Sequence, residues 1–147
     1  MYGYVKVGSA VPKLRVADCV YNKEEILKLV EAAAAKQVRV LSFPELSVTG
    51  YTCADLFFQT PLLHAAEQAI QEIAEATKAL NIFLLIGAPI AVDNQMFNCA
   101  VALYKGKLLG IVPKTHIPNY SEFYEERWFA SADDLLTEEI TYAGQNV

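Results

Sequence analysis

Short runs of consecutive apolar residues, separated by two amphipathic stretches, most strongly constrain how this chain folds. Residues 38–43 read VRVLSF and residues 82–86 read IFLLI, and an earlier run, Val5–Val11, ends at Pro12. Strands that are apolar at consecutive positions are typical of a sheet that is covered on both faces. We therefore predict three buried strands in these runs, the last of them ending at Gly87.

The stretches between these runs predict two helices. The first is expected to be capped by Asn22, with Glu25 three residues on as the partner in a capping box, and to continue to Lys36. The second is expected to begin at Thr60 as cap with Pro61 at the first helical position. Strands and helices that alternate in this way predict an α/β domain that starts with parallel crossovers.

A hairpin is predicted after the third strand. Two apolar runs, Met96–Tyr104 and Lys107–Val112, are joined at Lys105 and Gly106, where positive φ is tolerated. Such a turn implies antiparallel pairing, so the sheet is expected to be mixed. Two helices cover one face of a sheet, yet the strands need cover on both faces. Half of the packing partners are therefore expected to be missing from a chain of this length.

Composition and charge limit the partners of this chain. The net charge is −5 and Lys and Arg form no cluster, which argues against nucleic acid or an anionic membrane as the main partner. The longest apolar run, Ile82–Val92, is interrupted by Gly87 and Pro89 and is shorter than the roughly 20 residues of a membrane helix. With no signal-peptide pattern at the start, a cytoplasmic location is expected. An odd number of cysteines fits reduced thiols better than disulfides.

Two charged residues directly follow predicted strands. Glu45 comes after the strand that ends at Phe43, and Lys114 comes after the strand that ends at Val112. Reactive groups in α/β sheets usually lie past the carboxyl ends of strands. At such an edge of the sheet, a carboxylate such as Glu45 can take a proton from a nucleophile, and an ammonium such as Lys114 can stabilise an oxyanion. Position alone also allows Glu45 to cap backbone amides and Lys114 to be a surface charge. No metal is expected, because the chain lacks Cys and His at metal-ligand spacing.

Two segments resemble motifs of a known family. Residues 43–51, FPELSVTGY, resemble the glutamate motif of the nitrilase superfamily of carbon-nitrogen hydrolases, and residues 113–118, PKTHIP, resemble its lysine motif. The longer segment 113–129, PKTHIPNYSEFYEERWF, is similar to the glutaminase domain of the glutamine-dependent NAD synthetase branch. The resemblance covers the whole chain. It implies that residues 1–147 are a single partial domain, the first half of a nitrilase-type α-β-β-α sandwich with a mixed sheet.

The resemblance also implies roles for four residues. Glu45 is expected to be the general base that takes a thiol proton, and Lys114 to hold the tetrahedral intermediate. Glu125 matches the second glutamate that many members place beside the lysine, and Tyr120 lies in a segment that contributes to the glutamine pocket. The implied reaction hydrolyses the side-chain amide of L-glutamine through a thioester and yields glutamate and ammonia.

The same resemblance implies partners. Ammonia is expected to reach a C-terminal synthetase domain, where ATP and magnesium activate nicotinic acid adenine dinucleotide for NAD synthesis, whereas the glutaminase domain itself needs no cofactor. A homo-oligomer is expected, because family members associate through this domain.

The nucleophile is expected to be absent from this chain. In the family a cysteine follows the lysine motif, but no cysteine follows Lys114 here. Cys19 and Cys99 are interpreted as small buried hydrophobes, and Cys53 has no flanking strand. The 147-residue chain is therefore expected to be inactive alone. The alternatives are part of a free-standing nitrilase-like amidase or carbamoylase, and a non-catalytic oligomerisation module.

Overall fold

The chain folds around one five-stranded mixed sheet. The computed structural model describes residues 3–147. The strands lie in chain order across the sheet: β1 (Val7–Ser9), β2 (Val40–Ser42), β3 (Phe83–Val92), β4 (Gln95–Tyr104) and β5 (Lys107–Pro113). The first three pair in parallel, whereas β4 is antiparallel to both β3 and β5. The predicted α/β class with a mixed sheet is confirmed, and the carboxyl ends of β2 and β5 point to the same edge.

Two helices make the crossovers, α1 (Cys19–Ala35) between β1 and β2 and α2 (Thr60–Thr77) between β2 and β3. The predicted cap of α1 at Asn22 is wrong. The helix begins a turn earlier, because the carboxylate of Asp18 accepts the backbone N–H of Tyr21 at 3.0 Å. The start of α2 lies within one residue of the prediction, with Pro61 in the first turn.

Asn22 has a different role in the structure. Its side chain is completely buried, and its Nδ2 donates to the backbone carbonyl of Val48 at 2.9 Å and to that of Arg15 at 2.9 Å. These bonds tie α1 to the loop that follows β2. A residue that is a good helix cap is therefore used here to fix a loop.

Both helices pack against the same face of the sheet. Alternate residues of β3 and β4, such as Ile86 and Val101, point to this face and are fully buried. The opposite face carries apolar side chains that remain partly accessible, and Val112 is 64% exposed. The two predicted helices thus cover one face of the sheet, which we call the helical face, and we call the other the open face. Neither helix within residues 3–147 has the length and apolar character needed to cross a bilayer.

Tight turns join β3 to β4 and β4 to β5. Asp93 and Asn94 have φ of 51° and 63°, and Lys105 and Gly106 have φ of 49° and 80°. Positive φ at both central residues is the signature of type I′ turns, whose twist matches that of the strands. The predicted end of β3 at Gly87 is wrong, because antiparallel pairing with β4 continues to Val92.

The C-terminal segment packs beside the helices. It ends in a small hairpin of β6 (Thr141–Tyr142) and β7 (Gln145–Asn146). The backbone N–H of Ala143 donates to Glu67 on α2 at 2.8 Å, and the side-chain oxygen of Gln145 accepts the N–H of Leu108 on β5 at 3.1 Å. This hairpin therefore covers the β5 side of the helical face.

Candidate active site

Glu45 lies in a loop, residues 43–48, that packs directly on β3, and we call it the Glu45 loop. The backbone N–H groups of Phe43 and Val48 donate to the carbonyls of Leu85 and Gly87 at 2.9 and 3.2 Å. A Cβ added at Gly87 would lie 2.3 Å from the backbone nitrogen of Leu46, which is closer than atoms can approach. The missing side chain of Gly87 is therefore what allows the loop to sit on the open face.

Replacement of Gly87 by alanine is expected to lower the free energy of unfolding by about 3 kcal/mol, because the new methyl group overlaps the backbone of the Glu45 loop. Denaturant unfolding of the chain measures this change. Gly110→Ala is the matched control, since no atom lies within 4 Å of a Cβ added there. Equal stability of the two variants would contradict close packing of the loop on Gly87.

Lys114 lies between two carboxylates. Its Nζ donates to Oε2 of Glu45 at 2.9 Å and to Oε2 of Glu125 at 3.2 Å. Glu125 is only 3% exposed, and its other oxygen, Oε1, accepts the hydroxyl of Tyr51. The side chain of Glu45 is 52% exposed. The structure thus brings together the three charged residues singled out in the sequence, and it gives the two glutamates different environments.

The charges in this network are set by burial and by hydrogen bonds. Partial burial lowers the pKa of Lys114, but its hydrogen bonds to Glu45 and Glu125 outweigh burial and raise the pKa above its usual value. The side chain is therefore an ammonium at neutral pH. Burial and the hydrogen bond to Glu125 also raise the pKa of Tyr51, which keeps its proton and remains a donor.

A second ion pair fixes the segment that carries Glu125. Arg127 Nε and Nη2 donate to the two oxygens of Asp55, both at 2.8 Å, and Trp128 Nε1 donates to Asp55 Oδ1 at 3.0 Å. The guanidinium holds the pKa of the Asp55 carboxyl well below its usual range. Bidentate pairing of this kind restricts geometry as well as adding energy. It joins the turn that bears Glu125 to the short helix that follows the Glu45 loop.

A cavity of about 270 Å³ opens beside Glu45 and Lys114. Its walls are mostly apolar residues of the open face: Phe43, Leu85, Ala100 and Val112. Asn98 also lines it, and its Nδ2 donates to Glu45 Oε2 at 2.9 Å. A carboxylate, an ammonium and an amide at one end of an apolar cavity can bind a small polar group and move a proton to or from it.

Tyr120 is not part of this network. It is 69% exposed, and its ring packs edge-to-face on Phe123 with a centroid separation of 5.9 Å. No hydrogen bond within residues 3–147 joins Tyr120 to Glu45, Lys114 or Glu125. Its predicted part in substrate binding therefore stays a prediction.

The cysteines are free and buried. Burial raises the pKa of the Cys99 thiol to about 12 and that of Cys19 to about 11. Cys99 borders the cavity because it is next to Asn98 on β4. Neighbouring residues of a strand point to opposite faces of the sheet, so the side chain of Cys99 lies on the helical face, away from the cavity. Cys53 donates to the carbonyls of Thr49 and Gly50 at 3.2 and 3.3 Å, and burial raises its pKa too. None of these thiols is placed to react at neutral pH.

Three contributors to the site were not predicted from the sequence. Asn98 had a detectable signal, because it is a polar residue within an apolar strand. Tyr51 and Gly87 had weaker signals, since a tyrosine after a loop and a glycine near a proline each have many ordinary explanations. Among residues 3–147, no group of three or more His, Cys, Asp or Glu side chains could hold a metal ion.

Comparison with known proteins gives consistent matches. The family model for carbon-nitrogen hydrolases matches residues 6–145. The glutamine-dependent NAD(+) synthetase of Mycobacterium leprae is 36% identical over 132 residues, which are 90% of this chain and 19% of that protein. The enzyme of the same name from Aquifex aeolicus is 34% identical over 125 residues, covering 85% of this chain and 22% of that protein. This chain therefore spans about a fifth of the length of these relatives.

Solved structures agree with these matches. A glutamine-dependent NAD(+) synthetase from Cytophaga hutchinsonii superposes with a TM-score of 0.88 at 28% identity, over 97% of this chain and 24% of that one. An amidase from Nesterenkonia sp. superposes with a TM-score of 0.69 at 19% identity, over 94% of this chain and 52% of that one. The second likeness shows a shared fold.

Proposed function

Because this chain belongs to the carbon-nitrogen hydrolase family, we propose that it supplies the first part of a glutaminase domain in a longer glutamine-dependent NAD synthetase. The single observation that carries this proposal is the contact of one ammonium, Lys114, with the carboxylates of Glu45 and Glu125 beside an apolar cavity. The reaction is hydrolysis of the side-chain amide of L-glutamine to glutamate and ammonia.

Glu45 acts as the general base. An amide is a poor electrophile and water a poor nucleophile, so a thiol that forms an acyl intermediate divides the reaction into two easier steps. The thiol must lose its proton to become reactive. The half-exposed carboxylate of Glu45 takes this proton at the edge of the cavity. The thiol comes from a cysteine outside residues 1–147, since Cys19, Cys53 and Cys99 are buried elsewhere.

Lys114 stabilises the oxyanion of the tetrahedral intermediate, because its ammonium is fixed before the charge develops. Glu125 acts through Lys114 rather than on the substrate. Both of its oxygens already accept a donor, Oε1 from Tyr51 and Oε2 from Lys114. Glu125 is 3% exposed and does not line the cavity, whereas Glu45 does, so the two glutamates divide the work: Glu45 moves a proton and Glu125 positions the ammonium.

The expected partners follow from the same proposal. Ammonia passes to a C-terminal synthetase domain, which uses ATP and magnesium to amidate nicotinic acid adenine dinucleotide, and the relatives are long enough to contain such a domain. The assembly is a homo-oligomer in the cytoplasm. Three unpaired thiols support this location.

The full-length protein that continues this chain is expected to release ammonia from L-glutamine, but not from short aliphatic amides or N-carbamoyl amino acids. A coupled ammonia assay with glutamate detection measures this. Preference for a simple amide would favour a free amidase, and no turnover with any amide would favour a non-catalytic module.

Residues 1–147 alone are expected to be inactive in the same assay, because the nucleophile lies outside them. If this chain did release ammonia, and Cys53→Ala abolished that activity, the result would contradict a thiol from outside the chain.

A further inference from the structure

Asn98 connects the two charged residues at the centre of the site. Its Nδ2 donates to Glu45 Oε2 at 2.9 Å, and its backbone carbonyl accepts the N–H of Lys114 at 2.8 Å. The residue is 3% exposed and stands between Phe97 and Cys99 in an apolar part of β4. Burial of a primary amide is unfavourable unless it is hydrogen-bonded. Here the partner of the amide is the carboxylate of Glu45.

The two oxygens of the Glu45 carboxylate have different surroundings. Oε2 accepts both Asn98 Nδ2 and Lys114 Nζ, each at 2.9 Å. No donor within residues 3–147 contacts Oε1. An ionised carboxylate has about two lone-pair sites on each oxygen, so the two donors fill those of Oε2 and leave those of Oε1 free. The two oxygens are therefore unequal as bases.

Two donors from different strands also fix the orientation of the carboxylate. The last torsion of a glutamate side chain is broad, so a single donor would leave the plane of the carboxylate free to turn about that bond. Asn98 lies within β4, whereas Lys114 follows the end of β5. Their donors reach Oε2 from separate strands, and rotation of the carboxylate would break both bonds at once.

We propose that Asn98 is a positioning residue that orients Glu45 so that Oε1 accepts the proton of the nucleophile, an inference that rests on the proposed glutamine hydrolysis. In this step the S–H bond of the thiol breaks, an O–H bond forms at Oε1 and the electron pair stays on sulfur. The thiolate then forms a bond to the amide carbon while the π pair of the C=O bond moves to oxygen, where the ammonium of Lys114 stabilises it, and this pair re-forms the C=O bond when the intermediate collapses. When the C–N bond breaks, the proton on Oε1 passes to the nitrogen, which leaves as ammonia.

Two substitutions of similar size test this role in the full-length protein. The titratable groups that face Glu45 are Lys114, and beyond it Glu125 and Tyr51. Asn98→Leu removes the donor and is expected to lower kcat roughly 10- to 100-fold with little change in KM. Asn98→Asp places a like charge beside Glu45, which favours its protonated form. The acidic limb of the kcat/KM profile is therefore expected to move to higher pH by about one unit.

Asn81→Asp is the matched control. Asn81 is exposed at the far end of the sheet. Its side-chain oxygen accepts a hydrogen bond from the hydroxyl of Tyr104, and the carboxylate of an aspartate can accept the same bond. A purely structural role for Asn98 would lower the rate equally at every pH and leave the acidic limb in place, and this outcome would overturn the proposal. If Asn98→Leu does not fold, the pH profile of Asn98→Asp decides. Wild-type protein that does not hydrolyse glutamine would instead contradict the proposed function.

Discussion

Exchange of Glu45 for glutamine is expected to lower glutamine-dependent ammonia release roughly 10³-fold in the full-length protein. The substitution keeps the shape of the side chain, and its amide oxygen can still accept the donors of Asn98 and Lys114. What is lost is the ability to take a proton from the nucleophile. The expected signature is a fall in kcat with little change in KM, measured by the initial rate of glutamate formation.

Synthesis supplied with free ammonia is the internal control for Glu45→Gln, because that reaction bypasses the glutaminase site. It is expected to be unchanged. Glu31→Gln is the matched variant, since Glu31 is an exposed carboxylate of α1 on the other side of the sheet. A large loss of ammonia-dependent synthesis in Glu45→Gln would indicate misfolding rather than a missing base, and wild-type rates with glutamine would rule Glu45 out as the base.

Exchange of Lys114 for methionine is expected to lower kcat/KM for glutamine roughly 10³-fold as well. Loss of the ammonium removes the charge that stabilises the oxyanion. It also leaves the carboxylates of Glu45 and Glu125 close together without the cation that both contact at present. Like charges favour protonation of one partner, so any remaining activity is expected to require a higher pH than in the wild type.

The pH dependence separates these two consequences of Lys114→Met. Loss of oxyanion stabilisation alone would lower the rate equally at all pH values, whereas repulsion between the glutamates moves the acidic limb upward. Lys28→Met is the matched control, since it removes an exposed ammonium that also contacts a glutamate, Glu25, at 2.6 Å on α1. An unchanged acidic limb in Lys114→Met would show that Glu45 and Glu125 are not coupled through this ammonium.

Part of the site could be predicted from the sequence, because it follows from topology. Glu45 and Lys114 come directly after strands that run in the same direction, and such strand ends meet at one edge of a sheet. Glu125 had no comparable signal. It reaches Lys114 only because the chain after β5 folds back, where Arg127 pairs with Asp55. The pair of Asp55 and Arg127 lies 72 residues apart in sequence and has no local pattern. The contact of Glu125 with Lys114 was therefore expected only from resemblance to a family.

The errors in the predicted fold have local causes. Asn22 has the chemistry of a helix cap, but Asp18 caps α1 and the amide of Asn22 bonds to a loop instead. Gly87 was interpreted as the end of a strand, because glycine weakens strand interiors. In the structure the strand continues, and the glycine makes room for the backbone beside Glu45. In both cases a contact distant in sequence determines what the residue does.

The two type I′ turns described above have a consequence for the order of folding. Strands joined by two-residue turns form contacts between near neighbours in sequence, and such contacts close quickly. The meander of β3, β4 and β5 is therefore expected to form early. It contains Gly87 and Asn98, and Lys114 follows it directly. Glu45 must instead join it across the whole length of α2, so this carboxylate reaches the ammonium of Lys114 in a late, long-range step of folding.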